Sequence, residues 1–304
     1  MFEKIPCPVC QSKKYKVLRE STYSGGINSD ELMKIYSASS NHVLMDQLVQ
    51  CDECCLVYVN PQIEENIILN SYTDAVDPTF VSQNQWRVAT FSRNLEAICK
   101  KTNMLPSKDK KILDVGCAGG AFVKAAHDLG FTAVGVEPSK WLSEKARETY
   151  GLDIRTGSLE TQKFDPDSFD VVTLWDVIEH LVYPGRVLSD VRMSLKKDGL
   201  LVVNFPDYQS LMRRLLKWRW PFFLSVHLIY FTRRTIQLFL EKNGFEVVEQ
   251  RPYWQTLTLG YAMERACAYF PMLRFPSKVL ESIGVANVPF RYNMGQTLLV
   301  ARKC

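Results

Sequence analysis

The segment Asp176-Val-Ile-Glu-His180 carries side chains that are well suited to chemistry. On a helical turn, residues three and four positions apart project from one face, so Asp176, Glu179 and His180 are expected to converge. An imidazole or a carboxylate held near an acceptor can take up its proton, which is the work of a general base. With the distant His227, these groups would also make an oxygen and nitrogen site for a divalent ion such as Mg²⁺.

The choice of general base is narrow because the chain has only four histidines. His127 lies in a predicted helix and His42 between two cysteine pairs, and both are interpreted as structural or surface residues. His180 and His227 fall in segments that should border a crevice at strand ends. Glu179, His180 and His227 are therefore the candidate catalytic residues, and a hydrogen-bonded structural role is the alternative for each histidine.

Two C-x-x-C pairs near the N-terminus predict a metal site. They supply the thiols of Cys7, Cys10, Cys51 and Cys54. A tight turn can bring both sulfurs of a pair onto one tetrahedral ion, and four sulfurs leave no open position, so we expect a structural Zn²⁺. The alternative is free or redox-active cysteines. The interval between the pairs contains Gly25-Gly26 and is expected to be an inserted loop or hairpin. Cys55 stands where a zinc knuckle usually has glycine.

Elements that could position this chemistry begin at residue 111. Lys111–Val115 reads as a buried strand, a glycine turn follows, and a helix runs from Ala121 to a stop at Gly130. A strand, a glycine turn and a helix form the first crossover of a doubly wound sheet, which binds ligands at the carboxyl ends of its strands. The glycine spacing does not fit a dinucleotide site, because the third and sixth places hold Ala118 and Ala121.

Further strands are predicted in order after this crossover. Thr132–Glu137 should be a strand that ends in an acid, and an acid at this distance is placed to accept hydrogen bonds from ribose hydroxyls. Shorter or apolar runs predict the remaining strands at 153–156, 168–175, 200–205, 245–250 and 295–302. The sequence therefore predicts a seven-stranded α/β sheet.

Five signatures across about a hundred residues resemble class I S-adenosylmethionine-dependent methyltransferases. They are Asp114 with Gly116 and Gly120, Glu137, Phe169-Asp-Val-Val, Asp176 with Glu179-His180-Leu181 and a proline, and a Gly199-Leu-Leu strand. Ala118 departs from the usual alternating glycines. The resemblance implies a Rossmann-like doubly wound α/β fold with a small N-terminal zinc-ribbon-like module.

The same resemblance implies the residues that hold S-adenosylmethionine. The loop residues are Asp114, Gly116, Cys117, Ala118 and Gly120. Glu137 would meet the ribose, Ser158 and Leu159 the adenine, and Trp175 and Asp176 the methionine end.

The cysteine pairs and the late histidine–aromatic segment resemble a bacterial branch of the superfamily with a zinc-binding N-terminal module. Members of this branch act in sugar C-methylation and in polysaccharide or secondary-metabolite pathways. The resemblance implies methyl transfer to a small-molecule acceptor, such as a sugar nucleotide, a glycan precursor or a secondary metabolite. Two alternatives stay open, an RNA methyltransferase and a non-catalytic S-adenosylmethionine-binding protein. The acceptor atom and the oligomeric state stay undetermined.

The expected domains are a zinc-binding module at 1–60, a helical linker or cap at 61–105 and the methyltransferase domain at 106–304. Helical insertions are expected at about 207–225 and 253–290. Within the first, Tyr208–Trp220 is basic and rich in aromatic residues. Such a segment is typical of a lid that packs its apolar stripe on the domain, and a membrane-surface helix is the alternative.

Composition narrows the class of protein. A net charge of +4 on 304 residues gives little support for nucleic-acid binding. The sequence has no run of eighteen apolar residues, so no spanning helix is expected. Nine cysteines without a recognisable secretory signal indicate a reducing compartment, and a cytoplasmic location is expected.

Overall fold

The protein is described from a computed structural model that covers residues 2–23, 27–37, 42–269 and 284–304. Gly25-Gly26 of the predicted loop and residues 270–283 of the predicted second insertion lie outside these ranges.

Strands and helices of the described ranges are numbered in chain order. The strands are β1 Phe2–Glu3, β2 Tyr15–Arg19, β3 Leu48–Cys51, β4 Val57–Val59, β5 Gln62–Ile63, β6 Lys111–Val115, β7 Thr132–Glu137, β8 Asp153–Thr156, β9 Phe169–Trp175, β10 Leu195–Pro206, β11 Ile229–Tyr230, β12 Phe245–Pro252, β13 Gln255–Thr258, β14 Pro289–Tyr292 and β15 Gln296–Lys303. The helices are α1 Ser29–Ile35, α2 Glu65–Thr73, α3 Pro78–Ser82, α4 Asn84–Thr102, α5 Ala121–Asp128, α6 Lys140–Tyr150, α7 Leu159–Gln162, α8 Pro184–Ser194, α9 Leu211–Leu216, α10 Arg233–Lys242 and α11 Leu259–Tyr269. Two short 3₁₀ turns span Ile178–His180 and Lys217–Arg219.

A seven-stranded sheet forms the centre, in the order β12-β15-β10-β9-β6-β7-β8. The pairs from β10 to β8 are parallel, and β15 is antiparallel to both of its neighbours. The chain moves in one direction from β6 to β8 and in the other from β9 to β10, so the order reverses between β6 and β9. A reversal of this kind opens a ligand crevice at the carboxyl ends of the strands. The predicted seven-stranded α/β fold is confirmed.

Local sequence explains why the crossover helices begin and end where they do. The Ser139 hydroxyl accepts a hydrogen bond from the Leu142 amide at the start of α6, and Gly151 ends that helix in the left-handed conformation. Thr232 and Thr235 form a capping box at the start of α10. Residues 200–205 of β10 are all buried, as expected for a strand that is covered on both faces.

The N-terminal part of the chain contributes a smaller sheet in the order β11-β4-β3-β2. Its edge strand β11 comes from residues 229–230 and pairs antiparallel with β4. One face of this sheet, which includes Tyr230 of β11, packs on Trp220 and Phe223. The N-terminal sheet is therefore completed by a segment that lies beyond β10 in the sequence.

In the described residues, both predicted helical insertions contain non-helical segments beside their helices. Within 253–290, β13 and β14 pair antiparallel, and only α11 is helical among the described residues. The Thr256 amide donates to the Thr90 hydroxyl at 2.9 Å, which holds this backbone extended on α4. Within 207–225, α9 has six residues and a single 3₁₀ turn follows. Pro221 ends the segment because it disfavours helical backbone at Trp220.

Candidate active site

The loop after β6 lies at the carboxyl edge of the sheet and takes an unusual backbone path. Gly116, Ala118 and Gly120 have φ values of 72°, 45° and 74°. The amides of Gly116 and Cys117 both donate to the Val136 carbonyl, at 2.8 and 3.0 Å. A Cβ atom at Gly116 would lie 2.6 Å from the Val177 Cγ2. Glycine is therefore needed at this position both for its φ and for space.

Two buried carboxyl groups lie under and beside this loop. Glu137, at the end of β7, accepts hydrogen bonds from the amides of Ala118 and Ser139, both at 2.8 Å. Asp114 in β6 accepts from the Thr173 hydroxyl at 2.6 Å. Burial raises the pKa of Glu137 to about 7 and that of Asp114 to about 8, and the charge of Glu137 adds to the rise at Asp114. The structure thus places Glu137, the acid predicted to bind the ribose, in contact with the glycine loop.

The remaining predicted loop residues differ in how they face the crevice. Cys117 turns its thiol into a small apolar cluster with Val123, Ala146 and Ile154, so only its backbone is available to a ligand. Ser158 and Leu159 are brought next to β7, because the preceding Gly157 amide donates to the Glu137 carbonyl at 2.9 Å.

Trp175 is the last residue of β9 at the same edge, and Asp176 follows it. Asp176 accepts hydrogen bonds from the side-chain amides of Asn204, at 2.8 Å, and Gln296, at 2.5 Å. Burial raises the pKa of Asp176 to about 6, and the charge of Arg87 opposes the rise. The Trp175 ring packs among Phe91, Phe122 and Tyr253. Its buried indole N–H has no hydrogen-bond partner within the described parts of the chain.

Glu179, His180 and His227 converge, with one ligand atom from each lying within 4.8 Å of the others. Asp176 is not part of this cluster, contrary to the expected one-face arrangement. The segment is a 3₁₀ turn rather than an α-helix, and Asp176 has a φ of 52°, so its carboxylate turns towards Asn204 instead. Burial and the charge of Asp176 hold the pKa of Glu179 well above its usual range.

In both imidazoles of the cluster, the same ring nitrogen, Nδ1, lies against a backbone carbonyl. The Nδ1 of His180 lies 2.9 Å from the Val226 carbonyl, and the Nδ1 of His227 lies 2.8 Å from the Phe222 carbonyl. A carbonyl can only accept a hydrogen bond, so each Nδ1 is assigned the proton and each Nε2 keeps its lone pair. Burial lowers the pKa of His180 to about 4 and that of His227 well below its usual range. Two neutral rings are thus available as a base or as metal ligands.

Several polar residues at this site were not identified from the sequence. Asn84 and Arg87 come from α4, and Tyr72 comes from α2. The Asn84 amide donates to the Gly119 carbonyl at 2.9 Å, and the Tyr72 hydroxyl lies 2.8 Å from His180 Nδ1. The Arg87 guanidinium stacks on the Phe80 ring, and its buried Nε has no hydrogen-bond partner in the described ranges. Asn204 could have been recognised from the sequence, because it is a polar residue inside the apolar run of β10.

The four cysteine sulfurs of the N-terminal part form a second cluster, mutually within 4.8 Å. Cys7 and Cys54 have their sulfurs 3.5 Å apart, and Cys10 and Cys51 have theirs 3.4 Å apart. Tetrahedral Zn²⁺ with sulfur ligands places neighbouring sulfurs about 3.8 Å apart, so this donor set fits the ion. Cys55 is exposed and has a φ of 65°, the conformation that glycine usually supplies in such a turn.

Comparisons with known proteins agree on one family. The family model described as "Methyltransferase domain" matches residues 87–250, more than half of the chain. The ubiquinone biosynthesis O-methyltransferase of Bartonella tribocorum is 24% identical over 177 residues, 51% of this chain and 70% of that protein. The mitochondrial protein of the same name from Schizosaccharomyces pombe is 34% identical over 115 residues, 35% of this chain and 41% of that protein.

Among solved structures, a SAM-dependent methyltransferase from Archaeoglobus fulgidus aligns with a TM-score of 0.50 at 15% identity. The alignment covers 75% of this chain and 100% of that one, and at this identity it shows the fold alone. In the described ranges, no helix has both the length and the apolar character needed to cross a bilayer. The chain belongs to the methyltransferase domain family and is a class I S-adenosylmethionine-dependent methyltransferase.

Proposed function

We propose that this methyltransferase transfers its methyl group to an oxygen of a small-molecule acceptor held beside Glu179, His180 and His227. The observation that carries the proposal is the pair of imidazoles, His180 half-buried and His227 buried, each with a lone pair on Nε2, at the carboxyl edge of the sheet. A hydroxyl group must lose its proton near the moment of transfer, and a neutral imidazole has a lone pair that can accept it.

The cosubstrate would be held by the residues around the glycine loop. The Glu137 carboxylate would accept from ribose hydroxyls, and the loop of Ser158 and Leu159 would lie against the adenine. At the other end, the carboxylate of Asp176 and the guanidinium of Arg87 interact electrostatically. This pairing suits an amino-acid zwitterion, with Asp176 meeting the ammonium and Arg87 the carboxylate.

S-adenosylmethionine, when bound, supplies a methyl group that is already activated on a sulfonium. The chain's own residues then have two tasks, to align the acceptor and to remove its proton. The hydrogen bond from His180 Nδ1 to the Val226 carbonyl fixes the ring orientation, so that Nε2 is the nitrogen left to take up a proton. Tyr72, half-buried beside His180, would position the same ring.

Two finer points belong to this proposal. The ubiquinone biosynthesis O-methyltransferases support an oxygen acceptor on a ubiquinone-type precursor. The sugar nucleotide or glycan precursor implied by the zinc-containing bacterial branch is the second candidate. The cluster of Glu179, His180 and His227 offers one carboxylate and two imidazoles to a divalent ion; the carboxylate suits Mg²⁺, and the imidazoles suit transition metals. Such an ion would bind the acceptor oxygen. Zn²⁺ at the cysteine cluster would be structural.

The test is methyl transfer to a panel of phenolic precursors and sugar nucleotides, with the product identified by mass spectrometry and nuclear magnetic resonance. In His180→Asn, the side-chain amide keeps a donor for the Val226 carbonyl but removes Nε2. We expect kcat to fall by about 10²- to 10⁴-fold, with S-adenosylmethionine binding little changed.

The matched control is His127→Asn, because the His127 side chain is 62% exposed. Full turnover in His180→Asn would exclude this residue as the base, and a methylated carbon or nitrogen would overturn the oxygen assignment. Unchanged turnover after removal of divalent ions, with zinc content retained, would exclude the Mg²⁺ variant of the proposal.

A further inference from the structure

The segment after β10 presents apolar side chains to solvent on a basic background. Leu211, Leu215 and Trp218 are 69%, 66% and 45% exposed. Leu211 and Leu215 are four residues apart on α9 and therefore share a face. Met212 and Leu216 turn the other way and pack on the cluster around Trp220 and Phe223. The lid predicted from the sequence thus buries one side of the segment and leaves a second apolar side uncovered.

Charge on this segment has a single sign over a long stretch of sequence. Residues 208–240 contain no aspartate or glutamate, whereas they contain Arg213, Arg214, Lys217, Arg219, Arg233 and Arg234. Arg214, Lys217 and Arg219 are exposed beside the apolar face. Arg19, from β2, places its guanidinium 5.7 Å from the centre of the Trp218 ring. An exposed tryptophan and leucines ringed by cations match the boundary between anionic headgroups and acyl chains.

The position of this surface relates it to the candidate active site. The α9 segment starts after the carboxyl end of β10, the strand whose Asn204 holds Asp176. The Phe223 ring lies 5.0 Å from Trp218 and 5.6 Å from Trp220. The Phe222 ring in turn lies 5.2 Å from Trp220 and stacks on His227 at 6.1 Å. A short series of aromatic side chains therefore connects the exposed face with the imidazole cluster.

We propose that Leu211, Leu215 and Trp218, with Arg214 and Lys217, form a docking surface for an anionic phospholipid bilayer. The apolar side chains would enter the headgroup–acyl boundary, and the cations would pair with lipid phosphates. Docking in this orientation turns the carboxyl edge of the sheet towards the membrane, so an acceptor with an apolar tail can reach His180 and His227 without entering water. The docking surface goes beyond the proposed methyl transfer and is tested without it.

The experiment is flotation of the full chain with vesicles of phosphatidylcholine alone or phosphatidylcholine with phosphatidylglycerol. We expect the protein to float with the anionic vesicles, to bind the neutral ones weakly and to lose binding as salt screens the charges. The double variant Leu211→Ser with Leu215→Ser should lose about tenfold in binding. Arg214→Gln with Lys217→Gln should lose about fivefold for each cation removed.

Matched controls lie elsewhere on the surface. Leu105→Ser removes a leucine that is 80% exposed, and Lys100→Gln with Lys101→Gln removes two exposed cations. All these variants should keep wild-type turnover on a water-soluble acceptor, which separates docking from catalysis. Equal binding to both vesicle types, no binding to either, or equal losses in the control variants would overturn the proposal. So would a self-associated form that the Leu211 and Leu215 substitutions disperse, since it would assign the surface to a second copy of the chain.

Discussion

Burial raises the pKa of Glu137 from its usual 4.5 to about 7. The folded protein therefore holds the proton more tightly than the unfolded chain does. The stability that this group contributes is fully present below pH 4.5 and is lost as the pH rises through 7. At neutral pH and above, the protein keeps a charged carboxylate in the crevice at the expense of its own stability, as expected for a group retained to bind a ligand.

Glu137→Gln should separate binding from stability. The amide cannot ionise, so the difference in unfolding free energy between variant and wild type should shift in the variant's favour by about 2 kcal/mol from pH 5 to pH 8. Chemical denaturation at the two pH values measures the shift, and calorimetry should show weaker S-adenosylmethionine binding. Glu148→Gln, at a side chain that is 68% exposed, is the control. An equal pH dependence in Glu137→Gln and wild type would contradict the burial argument.

At the residue scale, the sequence located candidates that lie on strand ends and missed those that tertiary packing brings in. Asp114, Glu137 and Asp176 each follow or lie in a buried strand, so chain order alone places them at one edge. Arg87 and Tyr72 belong to helices before the sheet, and nothing in their spacing says which face meets the crevice. His180 and His227 were both recognised as candidates, but only the fold brings their rings to 4.7 Å.

Strand β7 must pass very close to the glycine loop. At Gly135, a Cβ atom would lie 2.6 Å from the Cys117 Sγ and 2.7 Å from the Ile154 Cδ1. Both neighbours are buried in one small cluster, so neither can move freely. The missing side chain of Gly135 leaves the space that the Cys117 side chain occupies beneath the loop.

We expect Gly135→Ala to lower the free energy of unfolding by about 1–3 kcal/mol through overpacking. Adding Cys117→Ala should restore part of the loss, because it removes the nearest atom. Gly185→Ala in α8 is the control, since its nearest neighbour would be 4.0 Å away. Thermal and denaturant unfolding measure these changes, and a neutral Gly135→Ala would show that the loop has room to shift.

At the element scale, repeated local signals made the sheet predictable, whereas pairing between distant strands was not. Each central strand is an apolar run bounded by turn residues, so its presence can be read directly from sequence. The pair β13 and β14 is separated by thirty residues, and α11 lies between them. Without the partner, Gln255–Thr258 resembled the start of the apolar helix that follows.

The cysteine cluster is linked to the candidate active site through backbone hydrogen bonds. Cys51 ends β3, which pairs with β4. At the end of β4, the Val59 amide donates to the Leu228 carbonyl, and the Leu228 amide donates to the Glu179 carbonyl, both at 2.8 Å. A Zn²⁺ ion bound at the cysteines would therefore also restrain the turn that carries Glu179 and His180.

Loss of the proposed Zn²⁺ should loosen the turn of Glu179 and His180 as well as the cysteine cluster. We expect Cys51→Ser to lower kcat, to leave S-adenosylmethionine binding largely intact and to increase hydrogen exchange at residues 226–232. The control is Cys55→Ser, which alters an exposed neighbour outside the cluster. Zinc content and exchange rates of both variants provide the measurement. Wild-type protein without zinc, or unchanged exchange in Cys51→Ser, would contradict this coupling.

Strand β4 is synthesised well before β11, the strand that pairs with its edge. Tyr58 leaves the ribosome about 170 residues before its partner Ile229. At a typical elongation rate, the edge of β4 therefore remains unpaired for roughly 10 to 30 seconds. Exposed strand edges attract other strands, so the nascent chain passes through a period of vulnerability to misassembly. A Zn²⁺ ion bound at the cysteines would keep β3 and β4 in place until β11 has been synthesised.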